Sequence, residues 1–159
     1  MHGLALVSMF TILMLPAQGR VHVKGEAGLV LVRAVRDAGT RLREPACRAV
    51  LGDFGPTAES DMEGRLAGSG LAAEEWLGRL VFADGVGQAA CRRSEVLFAT
   101  EPGSRVVFAC GPRFLVLASS DPDLAASLVI HETLHTLGLP EAPPTSGEIT
   151  ARVRKRCGP

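Results

Sequence analysis

Residues 121 to 140, "DPDLAASLVIHETLHTLGLP", constrain this chain more than any other stretch, because both ends of a helix are written into them. Asp121 has a short carboxylate that can accept from the free amides of a first turn. Pro122 suits the first helical position, and Asp123 complements the positive end of the helix dipole. At the other end, Gly138 supplies the left-handed residue that follows a helix, and Pro140 prevents continuation. The pattern predicts a helix over residues 122–137. Leu124, Leu128, Ile130, Leu134 and Leu137 make it apolar on most sides, so the fold has to bury it. Two histidines and a glutamate must then be buried with it.

Those residues are His131, Glu132 and His135, spaced H-E-x-x-H. Residues four apart lie on one helical face. Both imidazoles can therefore reach a single ion at about 2.0–2.1 Å, the usual Zn–N distance. Glu132 is one residue on, about 100° round the helix. It is off the ligand face, yet able to reach a water on the ion. Two ligands and one general base is the division of labour of a zinc hydrolase. The structural alternative is a pair of core histidines satisfied by local hydrogen bonds. Burying these groups without partners would be costly.

The 159 residues are enough for one domain with its own core and too few for two. Lys plus Arg, 17, equals Asp plus Glu, 17, so nothing in the net charge draws nucleic acid. Aromatics are sparse and tyrosine is absent, which disfavours a base-stacking platform. Residues 1–19, "MHGLALVSMFTILMLPAQG", carry no Lys, Arg, Asp or Glu. The apolar run from Leu4 to Leu15 is short for a bilayer, and Ala17-Gln18-Gly19 is a small-x-small cleavage site. These features predict a secretory signal peptide over 1–19 and a mature chain starting near Arg20. That chain would be secreted or periplasmic, with no stable membrane insertion after cleavage. The alternatives are a buried N-terminal helix or a membrane anchor.

Cys47, Cys91, Cys110 and Cys157 show no C-x-x-C spacing, which disfavours a cysteine zinc site. An even number in an exported chain predicts two disulfides. Three connectivities are possible. Cys91 precedes the first strand of an expected hairpin and Cys110 ends the second, so these two should pair. Cys47–Cys157 then ties the C-terminal tail to the body.

Other signals fill in the fold. "RVHVKG" reads as a short strand. Residues 26–43 read as an amphipathic helix stopped by Pro45, with Leu29, Leu31, Val32 and Val35 on its apolar side. "SDME" at 60–63 has capping-box form and opens a short helix, broken by "GSG" at 68–70. "WLGRLVFADG" reads as a buried strand ended by Asp84-Gly85. The runs 95–100 and 105–110 read as a hairpin, with Pro102-Gly103 at the centre of a type II turn. Thr145-x-x-Glu148 is a second capping box. It opens a terminal helix whose Arg152, Arg154, Lys155 and Arg156 complement the dipole. The sum predicts an α+β domain: a mixed β-sheet, a long helix backing it, and the buried site helix below.

The segment "HETLHTLG" resembles the active-site helix of the zincin metalloproteases. The longer pattern H-E-x-x-H-x-x-G-x-x-E resembles the metzincin signature, with Gly138 at its glycine. Snapalysin-like enzymes, which are small secreted zincins, are similar in placing an acid where Glu141 stands. Residues 131–150 also resemble a group of small exported bacterial proteins. The resemblance implies a zincin-like fold and a Zn²⁺ held by His131, His135 and Glu141. Glu132 would be the general base of a peptidase acting on a peptide or protein substrate. The resemblance also implies that an edge strand of the hairpin pairs with the substrate backbone. Independently of the resemblance, the chain is expected to be a monomer. The chain departs from the metzincin pattern in lacking a methionine turn, since its last methionine is Met62. Glu148 is the alternative third ligand, in the gluzincin arrangement, but it also reads as a capping-box residue. His22 or a backbone amide would stabilise an oxyanion. The rival readings are a non-catalytic exported domain with a structural or partner-binding zinc, and an amidase acting on cell-wall peptides.

Overall fold

The structure, a computed structural model, describes residues 19–55 and 62–158. Apart from Gly19, the expected signal peptide lies outside these residues, as do Ser60 and Asp61 of the first capping box.

The chain enters as β1 (Arg20–His22) and passes at Gly25 into the long helix α1 (Gly25–Arg43). The buried face of α1 is Leu31, Ala34, Val35, Ala38 and Leu42, the stripe expected of a helix with one face on a core. This corrects the sequence reading in part. Leu29 and Val32 are 65% and 42% exposed, and two alanines take the inward positions instead. Small side chains there let the helix lie close against its neighbours.

Pro45 ends α1 but starts the short α2 (Pro45–Arg48), which runs into a single 3-10 turn at Ala49–Gly52. Next come α3 (Met62–Ser69) and α4 (Ala73–Leu77). The first ends at Gly70, whose φ is +70°, as the glycine-rich break suggested. The second was expected as strand. Trp76 and Leu77 are helical, and the strand β2 is confined to Val81–Asp84. The cause lies at the helix start, where the Glu75 carboxylate accepts from the Ala72 amide at 2.9 Å.

The hairpin forms, but its first strand is shorter than expected. β3 is only Phe98–Ala99, paired antiparallel to β4 (Val106–Ala109). Leu97 O still accepts from Cys110 N at 2.9 Å, but residues 95 and 96 leave the ladder where the Arg113 guanidinium donates to the carbonyls of Arg93, Val96 and Cys91. The turn has the expected character: Ser104 N donates to Glu101 O at 2.9 Å and Gly103 has φ +84°. The sheet order is β1-β2-β4-β3, with the first three strands parallel. The sheet is mixed, as expected, in an α+β domain.

Alternation along β4 sorts its side chains. Val107 and Ala109 are fully buried, while Val106 and Phe108 are half-buried on the opposite face. After β4 comes α5 (Gly111–Ser120), a helix the sequence reading did not anticipate. It is followed by α6 (Pro122–Thr136) and α7 (Ser146–Cys157). The site helix α6 is enclosed by α1, α5, α7 and β4.

Both expected disulfides form, Cys47–Cys157 and Cys91–Cys110. The first spans 110 residues. In chain-entropy terms a bridge of that span contributes about 4–5 kcal/mol. The second pins the loop after β2 onto the end of β4. Gly85 marks how tight that junction is, since a Cβ there would lie 2.4 Å from Cys91 Sγ and 2.8 Å from Ala109 O. Among the described residues no helix is long and apolar enough to cross a membrane.

Candidate metal centre

Both ends of α6 form as its sequence directs. Asp121 Oδ1 accepts from the Leu124 amide at 2.9 Å. At the other end, Leu139 N donates to Leu134 O at 3.1 Å and Gly138 N to His135 O at 2.8 Å, with Gly138 at φ +96°. That is a Schellman ending, and the positive φ is why the residue is glycine. The chain reverses there and brings Glu141 back over the histidines.

His131 Nε2 and His135 Nε2 stand 2.9 Å apart, and Glu141 Oε1 lies 3.5 Å from the first and 3.2 Å from the second. The rings meet edge to face, with centroids 4.7 Å apart. Three donors bound tetrahedrally at the usual zinc distances would be roughly 3.3 Å apart. The observed triangle therefore has the size such an ion needs.

The outer nitrogens show that the donors also have the right chemistry. His135 Nδ1 is 2.6 Å from the Leu139 carbonyl. A carbonyl only accepts, so the proton sits on Nδ1, and in the neutral ring Nε2 presents a bare lone pair. His131 Nδ1 is 2.9 Å from Thr150 Oγ1, a hydroxyl able to accept in the same way. Two imidazole lone pairs and one carboxylate then converge on one point, an arrangement a cation would relieve. Among the described residues, His131, His135 and Glu141 are the group placed to hold a metal ion.

The electrostatics agree with that chemistry. Burial, helped by the charge of His135, pushes the His131 imidazole down to about 4, against a weaker upward pull from Glu141. Burial raises the Glu141 carboxyl, but the Ser146 hydroxyl and the two histidines outweigh it and hold Glu141 below its usual range. Glu132 differs. It is 7% exposed, and burial pushes its carboxyl up to about 7. The nearby Thr100 hydroxyl pulls weakly the other way, although its Oγ1 makes no hydrogen bond of normal geometry.

A cleft of about 630 Å³ opens beside the centre. Phe98, Val106 and Phe108 give it an apolar floor, Thr100 and Ser104 line it, and His135 and Glu141 stand at one end. The turn after β3 is fastened to the site helix, since Gly103 N donates to His135 O at 2.8 Å.

Of the residues singled out from sequence, His131, His135 and Glu141 come together, and Glu132 stands next to them. Glu148 does not join the group: its Oε2 accepts from the amide of Thr145, and the box that was expected closes. His22 lies on β1, at the sheet edge opposite β3, and does not line the cleft. Three participants were not foreseen: Thr150, Ser146 and Thr100. Lone hydroxyls in a capping segment or after a strand carry no spacing signal that points to a metal. No protein-family model, curated protein or solved structure matches this chain, so the geometry carries the functional reading.

Proposed function

We propose that this chain is an exported zinc-dependent metallopeptidase of zincin-like organisation. The observation that carries the reading is the convergence of His131 Nε2, His135 Nε2 and Glu141 Oε1 at the end of an open cleft. A buried acid that is not one of the three, Glu132, stands beside them. Three protein donors is the count of catalytic zinc sites, whereas structural sites are closed by four. Among the described residues no further His, Cys, Asp or Glu joins the group.

When bound, zinc would supply a Lewis acid that polarises a peptide carbonyl and acidifies a water. The rest is the work of this chain's residues. His131 and His135 are oriented from behind by Thr150 and by the Leu139 carbonyl. The Glu132 carboxylate takes a proton from the attacking water and delivers it to the leaving amine nitrogen. The peptide lies along the outer edge of β3, which pairs with β4 on one side only, and its side chains rest on Phe98, Val106 and Phe108. Two disulfides support export, because such bridges persist in oxidising compartments.

The test is metal analysis of the purified protein, followed by cleavage of a peptide library with and without a chelator. About one zinc per chain and chelator-sensitive cleavage are expected. A protein that takes up no zinc even when offered it overturns the reading.

A further inference from the structure

Helix α7 is fixed at both ends and along one side. Its head is closed by the Thr145–Glu148 box, Ile149 and Val153 are fully buried, and Cys157 is bridged to Cys47 beside α2. Between these anchors stand Ser146 and Thr150, four residues apart and so on one face. Thr150 meets a metal-site residue directly, with its Oγ1 2.9 Å from His131 Nδ1, and Ser146 is among the groups that hold the Glu141 carboxyl below its usual range. The remaining member, His135, is held by its own turn through the Leu139 carbonyl. His131 is thus oriented from α7.

The Thr150 hydroxyl can serve His131 in either tautomer. His135 has its proton committed to Leu139, so its Nε2 can only accept. If Thr150 donates to His131 Nδ1, then His131 Nε2–H points at His135 Nε2, 2.9 Å away, and the pair is satisfied without a cation. If Thr150 accepts from Nδ1–H, both Nε2 lone pairs are free. Going from the first state to the second takes the proton off His131 Nε2 and puts one on Nδ1, through solvent, while the Thr150 hydroxyl turns from donor to acceptor, so Nδ1 keeps its partner in both states. A methyl group in its place satisfies neither.

Building on the metal centre proposed above, we infer that Thr150 is a positioning residue that sets the metal-binding tautomer of His131, and that the Cys47–Cys157 bridge supports metal affinity by holding α7 where Thr150 can do so.

The experiment measures zinc affinity of the folded, disulfide-bonded protein by competition with a chromophoric chelator. Thr150→Val, which keeps the shape and removes the hydroxyl, should weaken binding by about 10–100-fold, the usual cost of losing a group that orients a ligand. Thr150→Ser should restore it. Replacing both Cys47 and Cys157 by serine should also weaken binding, and adding that change to Thr150→Val should cost little more, because the two act through one contact. Replacing Cys91 and Cys110 by serine should leave affinity unchanged. The inference is overturned if Thr150→Val binds zinc as tightly as the parent, or if Thr150→Ser fails to restore binding. It is also overturned if both cysteine pairs have the same effect. If the Cys47/Cys157 variant does not fold, the Thr150 pair of variants still decides the matter. A parent that binds no zinc overturns the metal centre itself, whereas a zinc-binding parent matched by Thr150→Val overturns this inference alone.

Discussion

Glu148 closes on Thr145 and not on the histidines: its Oε2 accepts from the Thr145 amide at 2.8 Å and from the Thr145 hydroxyl at 2.9 Å. Glu141, by contrast, has Oε1 3.2 Å from His135 Nε2. The two acids are therefore separable by substitution. Glu141→Ala should cost more zinc affinity than the roughly 10–100-fold lost with a group that only orients a ligand. Glu148→Ala should cost far less zinc affinity than Glu141→Ala and slightly lower the melting temperature through a frayed α7. Chelator competition and thermal melts distinguish them, and loss of metal from Glu148→Ala alone would reverse the assignment.

Glu132→Gln should separate chemistry from binding. The amide is nearly isosteric with the carboxyl but cannot take a proton near neutral pH. Peptide hydrolysis should slow by about 10²–10⁴-fold, while zinc content and melting temperature stay near those of the parent. His131→Ala should lose metal, stability and activity together. A Glu132→Gln protein as fast as the parent would remove Glu132 from the mechanism.

Gly138→Ala probes the turn that carries Glu141 back to the histidines. At φ +96° an L-residue is strained, at a cost of about 1–3 kcal/mol. The new Cβ would also meet the Arg65 guanidinium, though the end of that long side chain can swing aside. The variant should melt lower and bind zinc more weakly, because the turn supplies both Glu141 and the Leu139 carbonyl. Unchanged melting and affinity would show that the turn tolerates a side chain.

Asp53 anchors α7 from the other side, with Arg156 Nε 2.8 Å from one carboxylate oxygen and Nη2 2.6 Å from the other. The hydrogen bond to Arg156 holds the Asp53 carboxyl below its usual range. Burial opposes it, and the charges of Arg156, Arg152 and Lys155 reinforce it. A carboxyl lowered in the folded state contributes stability above its unfolded pKa and loses it as pH falls through the folded value. Asp53→Asn should therefore melt below the parent near neutral pH, with the gap closing in acid. A gap that is flat with pH would show that the ion pair contributes nothing.

The parts of this fold that could be read from sequence are those with a local chemical cause. α6 carries its own cap, its proline and its glycine. The hairpin turn needs a residue at positive φ and has Gly103 there. The cysteine pairing followed from which ends a hairpin brings together. The parts that were missed depend on tertiary packing. α5 has no side-chain cap and directly follows a strand. Trp76 and Leu77 sit in a five-residue helix whose sequence runs straight on towards a real strand. On α1 the buried stripe uses Ala34 and Ala38, so a reading that follows the largest apolar residues picks Leu29 and Val32 instead. At the site, the spacing of His131, Glu132 and His135 was visible because one helix sets it. Glu141 rested on a turn, and Thr150 on the docking of a second helix that only the folded chain reveals.

The Cys47–Cys157 bridge spans 110 residues and encloses the site helix, the cleft and the hairpin. Topologically the domain between those cysteines is a ring, not a line. A single proteolytic cut in any loop of that ring, such as the turn at 101–104, leaves one covalent molecule. A nicked protein would run at its full mass until the bridge is reduced, and would keep His131, His135 and Glu141 tethered within reach of one another.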